Sequence, residues 1–186
     1  MRRLPIIGVM GSSQEDSAEL ARPLGLLIAR LGCHLLTGGG GGVMEAVSRA
    51  FCSVNDRHGS ALGILPEGSP PNPFVEIPIL TQLSAANDPS RPEWRWSRNH
   101  INIRTSSAVI ALPGGTGTAS ELELAATGAH QRPCLAFLGT RGQIARTQRL
   151  DDTVALLTEA GARVPVAADI SQVEAFLLKY ATVPRS

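Results

Sequence analysis

Lysine is almost missing from this chain: among its 17 basic residues, Lys179 alone is not arginine. Schiff-base chemistry, including that of pyridoxal-phosphate enzymes, needs a positioned lysine. Lys179 falls in a C-terminal helical pattern remote in sequence from every glycine-rich stretch, which argues against a lysine-dependent decarboxylase. A Walker A phosphate loop is missing for the same reason, since no glycine run ends in Gly-Lys-Ser/Thr. The three cysteines, Cys33, Cys52 and Cys134, are scattered, with no C-x-x-C spacing, and an odd count does not make a disulfide framework. Cys33 and Cys134 open apolar runs and read as buried small hydrophobes. His34, His58, His100 and His130 have no metal-ligand spacing, so no protein-built metal site is expected. The net charge of +1 supplies no strongly basic face, so no nucleic-acid partner is expected. No window approaches a membrane span. The apolar run behind Arg2-Arg3 stops at Gly8-Val9-Met10-Gly11, too short for a signal-peptide core. The expectation is a cytoplasmic protein with no membrane partner.

What is present is a regular alternation of short apolar runs with helical patterns. Strands are expected at Ile6–Met10, Cys33–Thr37, Ala61–Leu65, Glu76–Leu80, Ala108–Leu112, Cys134–Leu138 and Arg163–Val166. Helices are expected near Ser17–Leu31, Val43–Val54, Trp94–Arg104, Leu122–Ala129, Asp151–Ala160 and Ser171–Tyr180, and Thr81–Pro92 reads as a loop. Fully apolar strands between helices indicate a parallel sheet covered on both faces, hence an α/β, doubly wound single domain over residues 1–186.

Glycine-rich turns follow three of these strands: Gly11-Ser12-Ser13, Gly38 to Gly42, and Gly114-Gly115-Thr116-Gly117-Thr118. In a doubly wound sheet, ligands sit beyond the carboxyl ends of the strands, so these turns can converge on one crevice. A strand, a glycine turn and a helix together present backbone N–H groups at the positive end of a helix dipole, a site for phosphate. The pattern G-x-G-x-x-G does not follow the first strand, and no acidic residue ends the second, which disfavours a nicotinamide cofactor. Five consecutive glycines exceed what a tight turn needs, and Gly39, Gly40 and Gly41 are expected against a ligand phosphate. Ser12 and Ser13 offer hydroxyl and N–H donors or, alternatively, a plain helix cap.

Arg98 lies fifteen residues before Pro113. It is either a fork for phosphate or carboxylate or a surface arginine. Glu121 is expected in the first turn of the helix after the third glycine turn, either as a functional carboxylate or as a dipole-complementing cap. Trp94 and Trp96 can stack on a heterocycle or anchor a loop or subunit contact.

The segment Pro113-Gly-Gly-Thr-Gly-Thr-Ala-Ser-Glu121 resembles the P-G-G-x-G-T-x-x-E signature of the Lonely Guy proteins, which are often mislabelled lysine decarboxylases. The resemblance places their catalytic arginine on Arg98 and their catalytic glutamate on Glu121. The residue after that arginine is usually lysine and here is Asn99. The chain is similar over more of its length to the molybdenum cofactor carrier proteins. Ile6 to Gly11, Leu35 to Gly39, Gly42-Val43-Met44, Gly63 to Pro66, Val75 to Ile79, Arg98 to Asn102, Thr118 to Glu121 and Val166 to Asp169 carry that likeness. The Ala85–Trp96 stretch is longer than the carrier counterpart.

These resemblances imply a Rossmann-like fold, a homo-oligomer (dimer or tetramer) and a phosphorylated small-molecule partner, molybdopterin or nucleotide. One expectation is a carrier that holds the molybdenum cofactor as bound ligand and needs no cofactor for chemistry. The other is a phosphoribohydrolase that splits the N-glycosidic bond of a nucleoside 5′-monophosphate (AMP or a cytokinin ribotide), with Glu121 stabilising the oxocarbenium-like transition state and Arg98 positioning the nucleotide or assisting the departing base. A nucleotide sensor without chemistry is a third class.

Overall fold

The computed structural model describes residues 3–83, 97–127, 132–139, 154, 155, 159 and 164–180. The sheet has seven strands: β1 (Ile6–Met10), β2 (His34–Thr37), β3 (Ala61–Pro66), β4 (Ile77–Thr81), β5 (Ala108–Ala111), β6 (Cys134–Phe137) and β7 (Val166–Ala167). Their order is β4-β3-β2-β1-β5-β6-β7, and every pair is parallel. The helices are α1 (Ala18–Arg30), α2 (Val43–Cys52), α3 (Arg98–Thr105), α4 (Thr116–Ala126) and α5 (Ile170–Tyr180). This is the Rossmann-like α/β arrangement. The chain order reverses between β1 and β5, and the register there, Ile7 to Ala108 through Met10 to Ala111, brings their carboxyl ends level.

The period-two alternation of each strand feeds two cores. Ile7 and Val9 of β1, Ile110 of β5 and Leu135 and Phe137 of β6 pack with α1, α2 and α5 on one face. Met10, Val109, Ala111 and Ala136 pack with Ile103 of α3 and Leu122 and Ala125 of α4 on the other. Coverage of both faces explains why these strands read as continuous apolar runs. Pro23 lies inside α1 and forfeits one helix hydrogen bond, while burial of Leu24, Leu27 and Ile28 holds the helix in place.

The structure differs from the expected elements at several points. The final strand is Val166–Ala167, not Arg163–Val166. Strand β4 forms the sheet margin, where it pairs with β3 alone, and its Ile77 and Leu80 are 45% and 59% exposed. An apolar run specifies a strand but not whether both sides of it are covered. The helix after the third glycine turn begins at Thr116, six residues earlier than Leu122. Of the expected helix 151–160, residues 154, 155 and 159 are described and helical. Trp94 and Trp96, the Ala85–Trp96 stretch and His130 lie outside the described residues.

Helix α1 packs directly on α2 at Gly25. A β-carbon there would stand 2.5 Å from the Val47 carbonyl oxygen and 2.8 Å from Ala50 Cβ. Gly25→Leu should wedge the two helices apart and cost about 1–3 kcal/mol, the usual effect of overpacking. Urea unfolding monitored by circular dichroism checks this, with a lower midpoint as the expected result.

Candidate functional site

Ser12 ties the glycine turns together. Its backbone N–H donates to the Pro113 carbonyl at 3.1 Å, joining the loop after β1 to the loop after β5. Its own carbonyl accepts from Val43 N–H at 2.9 Å, joining both to the start of α2. Gly42, at φ 61°, takes the left-handed turn that makes this possible, and a β-carbon there would collide with the Ser12 carbonyl. The Ser12 hydroxyl oxygen accepts from Gln14 and Glu15 N–H at 3.1 and 3.0 Å. With its lone pairs engaged, its O–H is the group left to donate outward. Capping and donation, posed as alternatives by the sequence, are compatible here.

Above this knot lies a cavity of about 380 Å³ at the β1–β5 reversal. Its wall includes Gly11, Ser12, Ser13 and Gln14 from the first turn, Gly38 and Met44 from the second, and Gly115, Thr116, Gly117 and Thr118 from the third. Arg98, Asn99 and Glu121 complete the polar part, with Val9 and Met10 behind them. Helix α4 has Gly115 at its N-cap and no side-chain cap. The first N–H groups of an α-helix have no intrahelical acceptor, so those of Thr116, Gly117 and Thr118 meet the cavity as an anion-binding end.

Gly39, Gly40, Gly41 and Gly114 lie outside the cavity wall. Gly39, at φ 74°, packs against Leu65, and the buried Asn72 holds the run from behind. Asn72 Nδ2 donates to the carbonyls of Gly39 and Gly40 at 3.2 and 2.9 Å. Much of the five-glycine run thus serves backbone geometry, and Gly38 is the member that faces the cavity. Gly114 stands where a side chain would meet the Thr118 hydroxyl and Ser12 N–H.

Arg98 opens α3 and is half-buried. Its Nη1 donates to the Gly38 carbonyl at 3.3 Å, while its buried Nε finds no partner among the described residues. It is therefore a cavity arginine and not a solvated surface one. Glu121 lies in the second turn of α4, because the helix starts earlier than expected, and it is 8% exposed. That position is wrong for a dipole cap. Burial pushes its carboxyl above the ordinary carboxylate range, while a 3.0 Å hydrogen bond from Asn102 Nδ2 and the charge of Arg98 pull it down. Asn102, Asn72, Met44 and Gln14 are the residues that sequence reasoning missed as parts of the site. The one signal near any of them was that Asn102 and Met44 fall in carrier-like segments.

Lys179 sits in the last turn of α5, with its ammonium 4.9 Å from the Tyr180 ring centroid. Cys33, Cys52 and Cys134 are free, and burial raises the thiols of Cys33 and Cys134 to about 11. Among the described residues no His, Cys, Asp and Glu cluster is placed to hold a metal, and no helix is long and apolar enough to cross a membrane.

The family model described as SLOG cluster4 matches residues 4–164. The chain belongs to the SLOG cluster4 family. Two solved structures show how this member relates to others of its fold. The molybdenum cofactor binding protein of the phototrophic bacterium Rippkaea orientalis is 31% identical, with a TM-score of 0.73, and the match covers 95% of this chain and 99% of that one. The molybdenum cofactor carrier protein of Chlamydomonas reinhardtii is 31% identical, with a TM-score of 0.72, covering 95% and 98%. A cytokinin riboside 5′-monophosphate phosphoribohydrolase of Rhodococcoides fascians is 31% identical over 133 residues. That match spans 69% of this chain and 63% of the relative. In this SLOG cluster4 protein the resemblance to both groups thus extends to sequence and, for the carriers, to nearly the whole fold.

The raised Glu121 pKa has a definite sign. Below the ordinary carboxylate range both folded and unfolded chains are protonated there, and the group contributes nothing. As pH rises through that range toward the raised folded value, the unfolded chain ionises first and wild type loses stability. Glu121→Gln should therefore melt higher than wild type at pH 8, and this advantage should vanish near pH 4. Thermal melts at the two pH values check the expectation.

Proposed function

We propose that this protein binds a phosphorylated small molecule in the β1–β5 crevice and acts as a molybdenum cofactor carrier. The observation that carries the reading is the convergence of donors on one cavity. The free N–H groups at the start of α4, the outward hydroxyl of Ser12, Ser13 and the Arg98 guanidinium all favour an anion at one end. Met10 and Met44, adaptable and polarizable, add an apolar part to the same wall, suited to a flat ring. Holding a ligand needs no acid or base. The full-length likeness to molybdenum cofactor binding and carrier proteins supports the carrier reading over a generic anion site.

The joint presence of Arg98 and Glu121 on the cavity wall supports a second reading, N-glycosidic hydrolysis of a nucleoside 5′-monophosphate. Water would then replace the base at the ribose anomeric carbon, giving free base and ribose 5-phosphate. Ionised Glu121 would stabilise the oxocarbenium-like carbon and take a proton from the water, that proton would pass to the departing base, and Arg98 would bind the nucleotide or assist the departing base. The likeness to the carrier structures over 95% of the chain, against 69% for the phosphoribohydrolase, is why the carrier reading stands first.

Purified protein should carry a fluorescent pterin after oxidation and release no base from AMP or a cytokinin ribotide. Arg98→Ala should weaken pterin binding about 10–100-fold, the value of one charge-assisted contact. Base release abolished by Glu121→Ala would replace the carrier reading with the hydrolase one. Neither retained pterin nor released base would defeat both.

A further inference from the structure

Beneath the crevice one buried amide is only half satisfied. Asn102 of α3 is fully buried. Its Nδ2 donates to Glu121 Oε1 at 3.0 Å, while its Oδ1 has no partner among the described residues. Its backbone carbonyl accepts from the Ser106 hydroxyl at 2.7 Å, which ties Asn102, in the middle of α3, to the residue that ends the helix. An unpaired buried acceptor is costly, and most buried polar groups are satisfied, so a retained orphan calls for a reason. Glu121 supplies one. Its Oε1 is engaged by the amide, its Oε2 takes no hydrogen bond from the described residues, and the residue lines the cavity.

We infer that Asn102 is the positioning residue for Glu121. Its amide holds Oε1 as an acceptor, so that Oε2 is the carboxylate oxygen presented to the ligand and the one that takes up the proton. The inference rests on the reading of Glu121 as a ligand-facing group. A ligand hydroxyl or ring N–H would meet Oε2 when the carboxylate is ionised. A ligand acceptor, such as a ring nitrogen or carbonyl, would meet it when protonated. The ionised form is favoured by the Asn102 amide and by Arg98, the charged side chain of α3 that bears on it, and opposed by burial. On α4 itself the neighbouring Glu123 is exposed and points away.

The test uses ligand-free protein labelled with carbon-13 at glutamate and nitrogen-15 at asparagine, with Glu121 assigned by its disappearance in Glu121→Gln. In wild type the Asn102 side-chain amide signals should titrate with the same midpoint as the Glu121 carboxyl carbon. In Asn102→Ala that midpoint should move to higher pH, and further still in Asn102→Asp, where a second carboxylate faces the first. Amide signals that ignore the Glu121 titration would overturn the inference, and that readout uses Glu121→Gln for assignment and does not depend on Asn102→Ala folding. An unmoved midpoint in folded Asn102→Ala would overturn it as well. Pterin and AMP binding are measured separately. Coupling in a protein that proves to bind neither pterin nor AMP would defeat the proposed function and leave the positioning role standing, and binding of either by a protein without coupling would do the reverse.

Discussion

The geometry of the site depends on the backbone of Ser12. Its N–H reaches the loop after β5, its carbonyl reaches the start of α2, and its hydroxyl closes its own loop, so one residue joins three turns that leave three different strands. Backbone groups can approach this closely only where side chains are absent. Gly42 and Gly114 flank the knot, and a β-carbon on either would strike the backbone of Ser12. The parallel register of β1 with β5 fixes how far each loop starts from the other. Sheet, knot and cavity are thus successive consequences of one strand reversal.

Placing the donors at that reversal gives the cavity its polarity. The start of α4, left without a side-chain cap, aims a partial positive charge at the space where Arg98 places a full one. Glu121 is the counterweight, a carboxylate kept in low dielectric and partly relieved by Asn102 and Arg98. The cost of burying it is spread over two helices, α3 and α4, which meet across the face opposite α1 and α2. A carrier and a hydrolase can share this frame, because both need an anion held at one end and a ring at the other. They differ in what Glu121 does, and that depends on its proton.

The parts of this account legible in the sequence are those that leave local marks. Strands β1, β5 and β6 are buried on both sides and appear as unbroken apolar runs. The glycine turns appear as composition. Glu121 is marked by the strand, glycine turn and helix pattern and Arg98 by its place ahead of that motif, and the resemblance to a known family gives each a role. The start of α4 was missed because Gly117 and Thr118 are poor helix formers, and tertiary packing of Leu122 and Ala125 overrides them. That error moved Glu121 by a turn and left the dipole-cap alternative open. The sequence places Gly39, Gly40 and Gly41 against a ligand phosphate because nothing nearby announces Asn72, more than thirty residues away, as the support of Gly39 and Gly40. Asn102 was invisible as a partner of Glu121 for a similar reason: asparagine in a short helix looks neutral until the second helix is folded against it. The exposure of β4 was not readable either, since being at the sheet edge is a property of the whole topology.

The central claim is that the three turns form a single anion site at the β1–β5 reversal. The most direct measurement is the amide and arginine side-chain nuclear magnetic resonance spectrum of the protein titrated with inorganic phosphate. The account predicts saturable shifts confined to Ser12, Ser13, Gly38, Thr116, Gly117, Thr118 and the Arg98 guanidinium, all with one dissociation constant. Shifts confined to exposed arginines elsewhere, such as Arg22 and Arg49 beside the α1–α2 groove, or independent constants for the separate turns, would contradict it.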